Sequence, residues 1–421
     1  MSNDIHGAIE AVWRIESAKL IGGLTRIVRD VELAEDLAQD ALVIALERWP
    51  HTGTPDNPAA WLMATAKHRA IDRIRHNVMQ QRKLESMGRD VELQHQLTEA
   101  DFEAADDVVR DDLLRLMFIT CHPVLPKEAR IALTLRLLGN LTTDEIARAF
   151  LAPEPTIAQR IVRAKRTLTE ARVPFEMPAG SERAERVSSV LEVIYLIFNE
   201  GYAATTGDAW TRPALCDEAL RLGRILAGLA PNDGEVHGLL ALMEIQASRM
   251  KARVTPAGEP ILLLDQNRAR WDQLMIRRGL GALAKAEALG ALGSYGMQAA
   301  IAACHARARK AEDTDWVKIA ALYDALAQLT PSPIVELNRA VAVGMAYGPA
   351  AGLEIADALL DEPALVAYHF LPSVRGDLLA KLGRFAEAGV AFTQAASLAR
   401  NERERALLLA RAAACTRGMR S

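Results

Sequence analysis

The chain has little of what most enzymes and secreted proteins are built on. Its 421 residues include four cysteines, Cys121, Cys216, Cys304 and Cys415, far apart and without a Cys-x-x-Cys pair. That spacing supplies neither a disulfide framework nor a zinc site, and it reads as four reduced, mostly buried thiols. No run approaches the roughly 18 apolar residues of a membrane span. The opening stretch, MSNDIHGAIEAVWRIE, is amphipathic and lacks an apolar signal core. A cytoplasmic protein with no membrane partner is therefore expected. GxxxxGK[ST], HExxH and GxSxG patterns are missing, and the nine histidines are scattered. Neither an enzyme nor a metal or cofactor site is expected from such a sequence.

Aromatic residues make up only 5% of a chain that is 50% hydrophobic. Alanine and leucine crowd nearly every segment, and alternating β-branched runs are few, which predicts an all-α fold. The length suits two or three domains. A formal charge of −4 gives no global basic signature. Any contact with nucleic acid must then come from local patches.

What is present centres on residues 31–75. Leu33, Leu37, Ala41 and Ile44 recur at helical spacing, while Glu32, Glu35, Asp36, Gln39 and Asp40 lie off that stripe. One face is core and the other acidic. A loop with Gly53, Pro55 and Pro58 follows, and Asn57-Pro58 has the form of an N-cap with proline at the first helical position. The next helix carries Trp61 in its first turn. From Lys67 to Lys83 it has six basic residues and one acid. Such a face suits a phosphate backbone, although a basic outer face can also be merely solvated. Taken in order, the acidic helix ending in Trp49, the polar loop and the basic helix opened by Ala-Trp-Leu resemble region 2 of the extracytoplasmic-function sigma factors.

Between Glu85 and Asp112 ten acids face two arginines. Like-charge blocks commonly serve as solvated spacers, and a mimic of DNA charge is the sharper alternative. The stretch from Leu125 to Leu168 then reads as a helix-turn-helix. Gly139-Asn140 ends one helix, and Thr142 with Glu145 forms a capping-box pattern that starts another, with Ile146, Ala147 and Phe150 facing inward. After a short turn, Pro155 is expected at the first position of a helix with Ile157, Ile161, Ala164 and Leu168 on its apolar stripe. Thr156, Gln159, Arg160, Arg163, Lys165 and Arg166 fall outside it. The N-terminal residues of such a helix can reach base edges, while later basic residues hold phosphates. The segment resembles region 4 of the same family, though Pro155 and Ala158 stand where many members have glycine and arginine.

Past Pro174 the chain continues through Ala-Leu-rich segments, beginning with VSSVLEVIYLIFNEGYAATTGD. Residues 316–347 and 368–411 read as paired helices at tetratricopeptide-like intervals. Between them and that opening lies PAGEPILLLDQNRARWD, the most unusual stretch. Its Asp265, Gln266, Arg268, Trp271 and Asp272 are regulatory candidates, with helix capping as the plainer reading. The whole chain is similar to the sigma-factor subgroup with a C-terminal tetratricopeptide-like extension.

That resemblance implies a promoter-specificity subunit. Asp36, Gln39, Asp40 and Trp49 match the helix that meets core RNA polymerase, whose β′ and β subunits would be the partners. Asn57, Trp61, Lys67, Arg69, Arg73 and Arg75 match the element that captures unpaired bases and holds phosphates at the melted promoter. Thr156, Gln159, Arg160, Arg163, Lys165 and Arg166 match the reader of the upstream element. Region 2 is expected over residues 5–82, an acidic linker over 83–107, region 4 over 108–173 and the extension over 185–421, with a regulatory protein as its possible partner. Ending the chain after about Val173 is expected to leave the first two modules foldable. The alternative is a helix-turn-helix regulator that acts without polymerase.

Overall fold

The computed structural model describes residues 2–84, 106–204 and 210–418, and the side chains of 5–73, 110–204 and 210–417. Among the described residues are eighteen α-helices and no β-strand. The chain divides into two compact units, Met1–Val193 and Ile194–Ser421. The acidic stretch from Glu85 onward lies mostly outside the described residues.

In the first unit, α1 (Ser2–Val28) is a single helix that packs on both α2 (Val31–Thr52) and α3 (Pro58–Leu84). The Asp30 carboxylate starts α2 by accepting from the Leu33 amide. Gly53, at φ +82°, ends it in a conformation that disfavours a β-carbon. The Asn57 side chain caps α3 through the Ala60 amide, 3.1 Å away. Ile9, Leu20, Ile21, Leu24, Leu37, Ala41, Trp49, Leu62 and Ala66 form the core among these helices.

Next come α4 (Asp106–Thr120), α5 (Lys127–Leu137), α6 (Thr143–Ala149) and α7 (Glu154–Glu170). Both bonds of the Thr142–Glu145 capping box form, and α7 starts at Glu154, one residue before Pro155. Ile146, Ala147, Ile157, Ile161, Ala164 and Leu168 are buried as expected, while Phe150, also expected inward, is half-buried. α4 lies along α1 at close range: a β-carbon on Gly22 would come within 3.0 Å of the Asp112 carbonyl oxygen.

The unit boundary falls inside α8 (Gly180–Tyr202) rather than before it. Ser189 of α8 donates to the Cys121 carbonyl at 2.5 Å and accepts from Arg130 at 2.7 Å. Glu192 pairs with Lys127 and Arg130. The start of α8 is thus built into the first unit, a feature the boundary expected near residue 173 or 185 leaves out.

The second unit continues with α9 (Pro213–Leu229), α10 (Gly234–Ala247), α11 (Gln273–Ala288), α12 (Ser294–Arg307), α13 (Trp316–Leu329), α14 (Pro333–Tyr347), α15 (Pro349–Ala358), α16 (Phe370–Lys381), α17 (Phe385–Leu398) and α18 (Glu402–Gly418). Most pack mainly on their sequence neighbours, as in a repeat array, while α12 reaches past α11 to pack chiefly on α10. Small residues set the spacing: a β-carbon on Gly352 would stand 2.5 Å from the Ala340 carbonyl oxygen, so only glycine lets α14 and α15 approach this closely.

His305 on α12 has its ring edge-to-face with Trp316 at 5.1 Å. Burial, with repulsion from Arg249 and Arg268, pushes its pKa from 6.5 down to about 4. Above pH 6.5 both folded and unfolded chains hold it neutral. As pH falls from 6.5 to 4 only the unfolded chain takes the proton, so stability is lost across that window. His305 should therefore contribute a loss of about 2 kcal/mol between pH 7 and pH 5. Urea melts at both pH values should show this loss shrink in His305→Gln; an unchanged difference would exclude His305 as its source.

Candidate nucleic-acid interface

On α2 the outward stripe holds Asp36, Asp40 and, one and two turns further, Val43 and Glu47. Asp36 and Asp40 are exposed and Gln39 is half-buried. Val43 is 52% exposed and Leu46 is 38% exposed, so this face is acidic and apolar together. Sequence reading missed Val43 and Leu46. Continuing the three-to-four-residue spacing from Asp36 and Asp40 would have found Val43.

Two residues of this helix depart from expectation. Trp49 is 1% exposed, a core side chain and not a surface contact. It supports the half-buried Trp61 of α3 edge-to-face, with centroids 5.3 Å apart. Glu35, expected on the acidic face, is 4% exposed. It is covered because cations from later helices reach over it: Arg136 of α5 donates at 2.8 Å and Lys165 of α7 lies at 2.5 Å.

Asn57, Arg69 and Arg73 are exposed and Lys67 is half-buried, while the side chain of Arg75 lies outside the described residues. The exposed residues His51 to Thr54 precede Asn57, and Trp61 sits one turn beyond it, so a polar loop and an aromatic ring adjoin the basic side of α3. This arrangement can offer an aromatic surface to an unpaired base and cations to phosphates.

On α7, Thr156, Gln159 and Arg163 are exposed and Arg160 is half-buried, on the side away from Ile157 and Ile161. Arg166 is exposed and pairs with Glu170 at 2.6 Å, a contact that holds its charge more firmly. Lys165 does not belong with them. It lies nine residues past Thr156, about two and a half turns, and so points to the opposite side. Its side chain is only 11% exposed against Glu35.

In the second unit the residues expected as regulatory mostly hold structure. Asp272 caps α11 through the Leu274 and Met275 amides. Arg268 is buried and ties together the His305 and Ala308 carbonyls and the Thr314 hydroxyl. Trp271 is core, with Arg249 and Arg268 over its ring. Gln266 donates to the Ile261 carbonyl, which leaves Asp265 as the exposed member.

Comparison with known proteins agrees with these two DNA-type modules. Residues 16–78 match the sigma-70 region 2 family and residues 115–168 match the sigma-70 region 4 family. Residues 186–287 match a family of unknown function, DUF6596. An uncharacterized protein of Rhizobium meliloti, R00370, is 43% identical over 392 residues, covering 92% of this chain and 91% of that protein. The probable ECF RNA polymerase sigma factor SigI of Mycobacterium tuberculosis is 26% identical over 42% of this chain and 60% of its own length. The ECF RNA polymerase sigma factor SigK of Mycobacterium ulcerans is 28% identical over 36% of this chain and 78% of its own. The helical extension lies beyond the two sigma-type segments, and most of it falls within the span shared with the Rhizobium protein. The chain belongs to the extracytoplasmic-function sigma factors, as a form with a C-terminal helical extension, and so to the proteins of transcription initiation.

Proposed function

We propose that this protein docks on core RNA polymerase through the outer face of α2, directs it to promoters and helps open them, and that its extension modulates that activity. Region 2 would occupy residues 5–82, the linker 83–107, region 4 residues 108–173 and the extension 185–421, with the start of α8 shared structurally with region 4. The reading rests chiefly on one observation: α2 and α7 each expose a stripe of chemistry suited to its partner, acidic and apolar on one, polar and basic on the other.

Asp36, Gln39 and Asp40, with Val43 and Leu46 beside them, would meet a basic helical surface of the polymerase. Trp49 would act from the core by supporting Trp61. Asn57 and Trp61 would capture an unpaired base, and Lys67, Arg69, Arg73 and Arg75 would hold phosphates nearby. Thr156, Gln159 and Arg160 would reach base edges, and Arg163 and Arg166 the phosphates. Melting would draw on binding energy alone.

Run-off transcription with purified core polymerase, this protein and the region upstream of its own gene tests the proposal. A specific transcript is expected without any other sigma factor. Absence of both transcript and core binding would overturn the reading in favour of a regulator that works without polymerase. A narrower check is Arg163→Ala. It should weaken holoenzyme binding evenly across promoter sequences and lower the salt slope by about one counterion; a change confined to one base position would instead make Arg163 a base reader.

A further inference from the structure

Glu35 is a buried carboxylate that joins parts of the protein proposed above to hold different partners. Its Oε1 accepts from Arg136 Nε at 2.8 Å and from Gln39 Nε2 at 2.9 Å, and its Oε2 pairs with Lys165 Nζ at 2.5 Å. Arg136 belongs to α5 and Lys165 to the recognition helix α7. Gln39 belongs to the face of α2 proposed to meet polymerase. One carboxyl group therefore ties that face to the underside of the DNA-reading helix.

The rest of the seam differs in kind. Where α4 lies on α1, Gly22 allows near contact with the Asp112 backbone, and Leu113, Leu114 and Leu116 of α4 are buried. Asp112 there pairs with Arg26 at 3.1 Å and Arg115 at 2.8 Å. Separating α4 from α1 would expose apolar surface to water. The contact of α5 and α7 with α2 through Glu35 is polar, and each of its groups can regain water or a new charged partner. The close-packed side is suited to stay and the polar side to open.

We infer that Glu35 is a clasp that holds the helix-turn-helix closed against α2, and that the closed form keeps α7 from binding DNA productively. This inference rests on the proposed function for the assignment of α7 to promoter DNA, but the closure itself does not. Polymerase engaging Gln39 competes for one of the Glu35 hydrogen bonds, and DNA that draws α7 away from α2 breaks the Lys165 contact on its underside. By linkage, whatever loosens the clasp at α2 favours DNA at α7, and the converse holds equally.

All four native cysteines are buried, so cysteines introduced at exposed Ala64 on α3 and exposed Val162 on α7 can be labelled selectively for energy transfer in the full-length protein. Glu35→Gln removes the charge at nearly constant shape, and Lys165→Met removes one partner from the other side. Circular dichroism should confirm that both remain folded. Each variant is expected to lower transfer efficiency. Each should also tighten binding of a duplex containing the region upstream of its own gene by about fivefold or more, without polymerase present. The double variant Glu35→Lys with Lys165→Glu should restore part of the transfer. Unchanged transfer in both folded single variants would overturn the clasp. Reduced transfer without tighter DNA binding would overturn its silencing role. Failure of the wild-type protein in run-off transcription, with the transfer changes intact, would instead strike the proposed function.

Discussion

A chain ended after Val173 is expected to be markedly less stable than one ended after Val193, even though the shorter one contains every residue matched to sigma-70 regions 2 and 4. The twenty residues between include Ser189 and Glu192, which bind one terminal nitrogen of the buried Arg130 and, with Lys127, fasten α8 over the junction of α4 and α5. Hydrogen bonds involving charged groups each contribute about 1.5–3 kcal/mol. Losing this set should cost the first unit about 3 kcal/mol, or about 6–12 °C in melting temperature for a unit of this size.

Thermal melts followed by circular dichroism on the two truncated proteins would measure the difference. A second readout is the thiol of Cys121, which burial holds well above its ordinary pKa while Thr134 and Thr120 hydrogen-bond to it. With α8 gone, Cys121 should react faster with a thiol reagent. Equal melting points and equal reactivity would mean that the first unit is complete without α8. The functional consequence is specific: removing the extension at the end of the family segment would confuse loss of regulation with loss of stability.

Much of this was legible because it depends on local rules. The apolar stripe of α7, the Thr142–Glu145 box and the Asn57 cap are set by spacing within a few residues, and all three form. The capping alternative for the unusual stretch was equally local, and Asp272 fulfils it. What escaped notice depends on chain segments far apart in sequence. Nothing near Glu35 announces that Arg136 and Lys165 will cover it, and a helical wheel places Lys165 outside the apolar stripe without saying what lies beside it. The place of α8 in the first unit is hidden for the same reason, since Ser189 finds its partners at positions 121 and 130. Trp49 differs in kind: the resemblance groups it with the residues that meet polymerase, while the structure encloses it as support for Trp61.

Trp61→Leu is expected to lower run-off transcription from a duplex promoter by about 10- to 100-fold, because stacking one base on an aromatic face contributes about 1–3 kcal/mol. Leucine is chosen over alanine because Trp61 has two roles that must be separated. Its ring edge packs on buried Trp49, and an apolar replacement keeps much of that contact, whereas alanine would leave a void beside the core. A base that has left the duplex finds no flat π-surface on leucine, so the energy that offsets unpairing is lost while the fold is kept. Trp61→Phe should retain most of the activity. On a template already unpaired at the downstream element, Trp61→Leu should recover most of its transcript yield, since the unpairing cost no longer has to be met. Core-polymerase affinity should stay unchanged, because the exposed stripe of α2 is untouched. If the leucine variant transcribes duplex promoters as well as the native protein, Trp61 serves only to pack against Trp49, and base capture must be sought among the residues from His51 to Asn57.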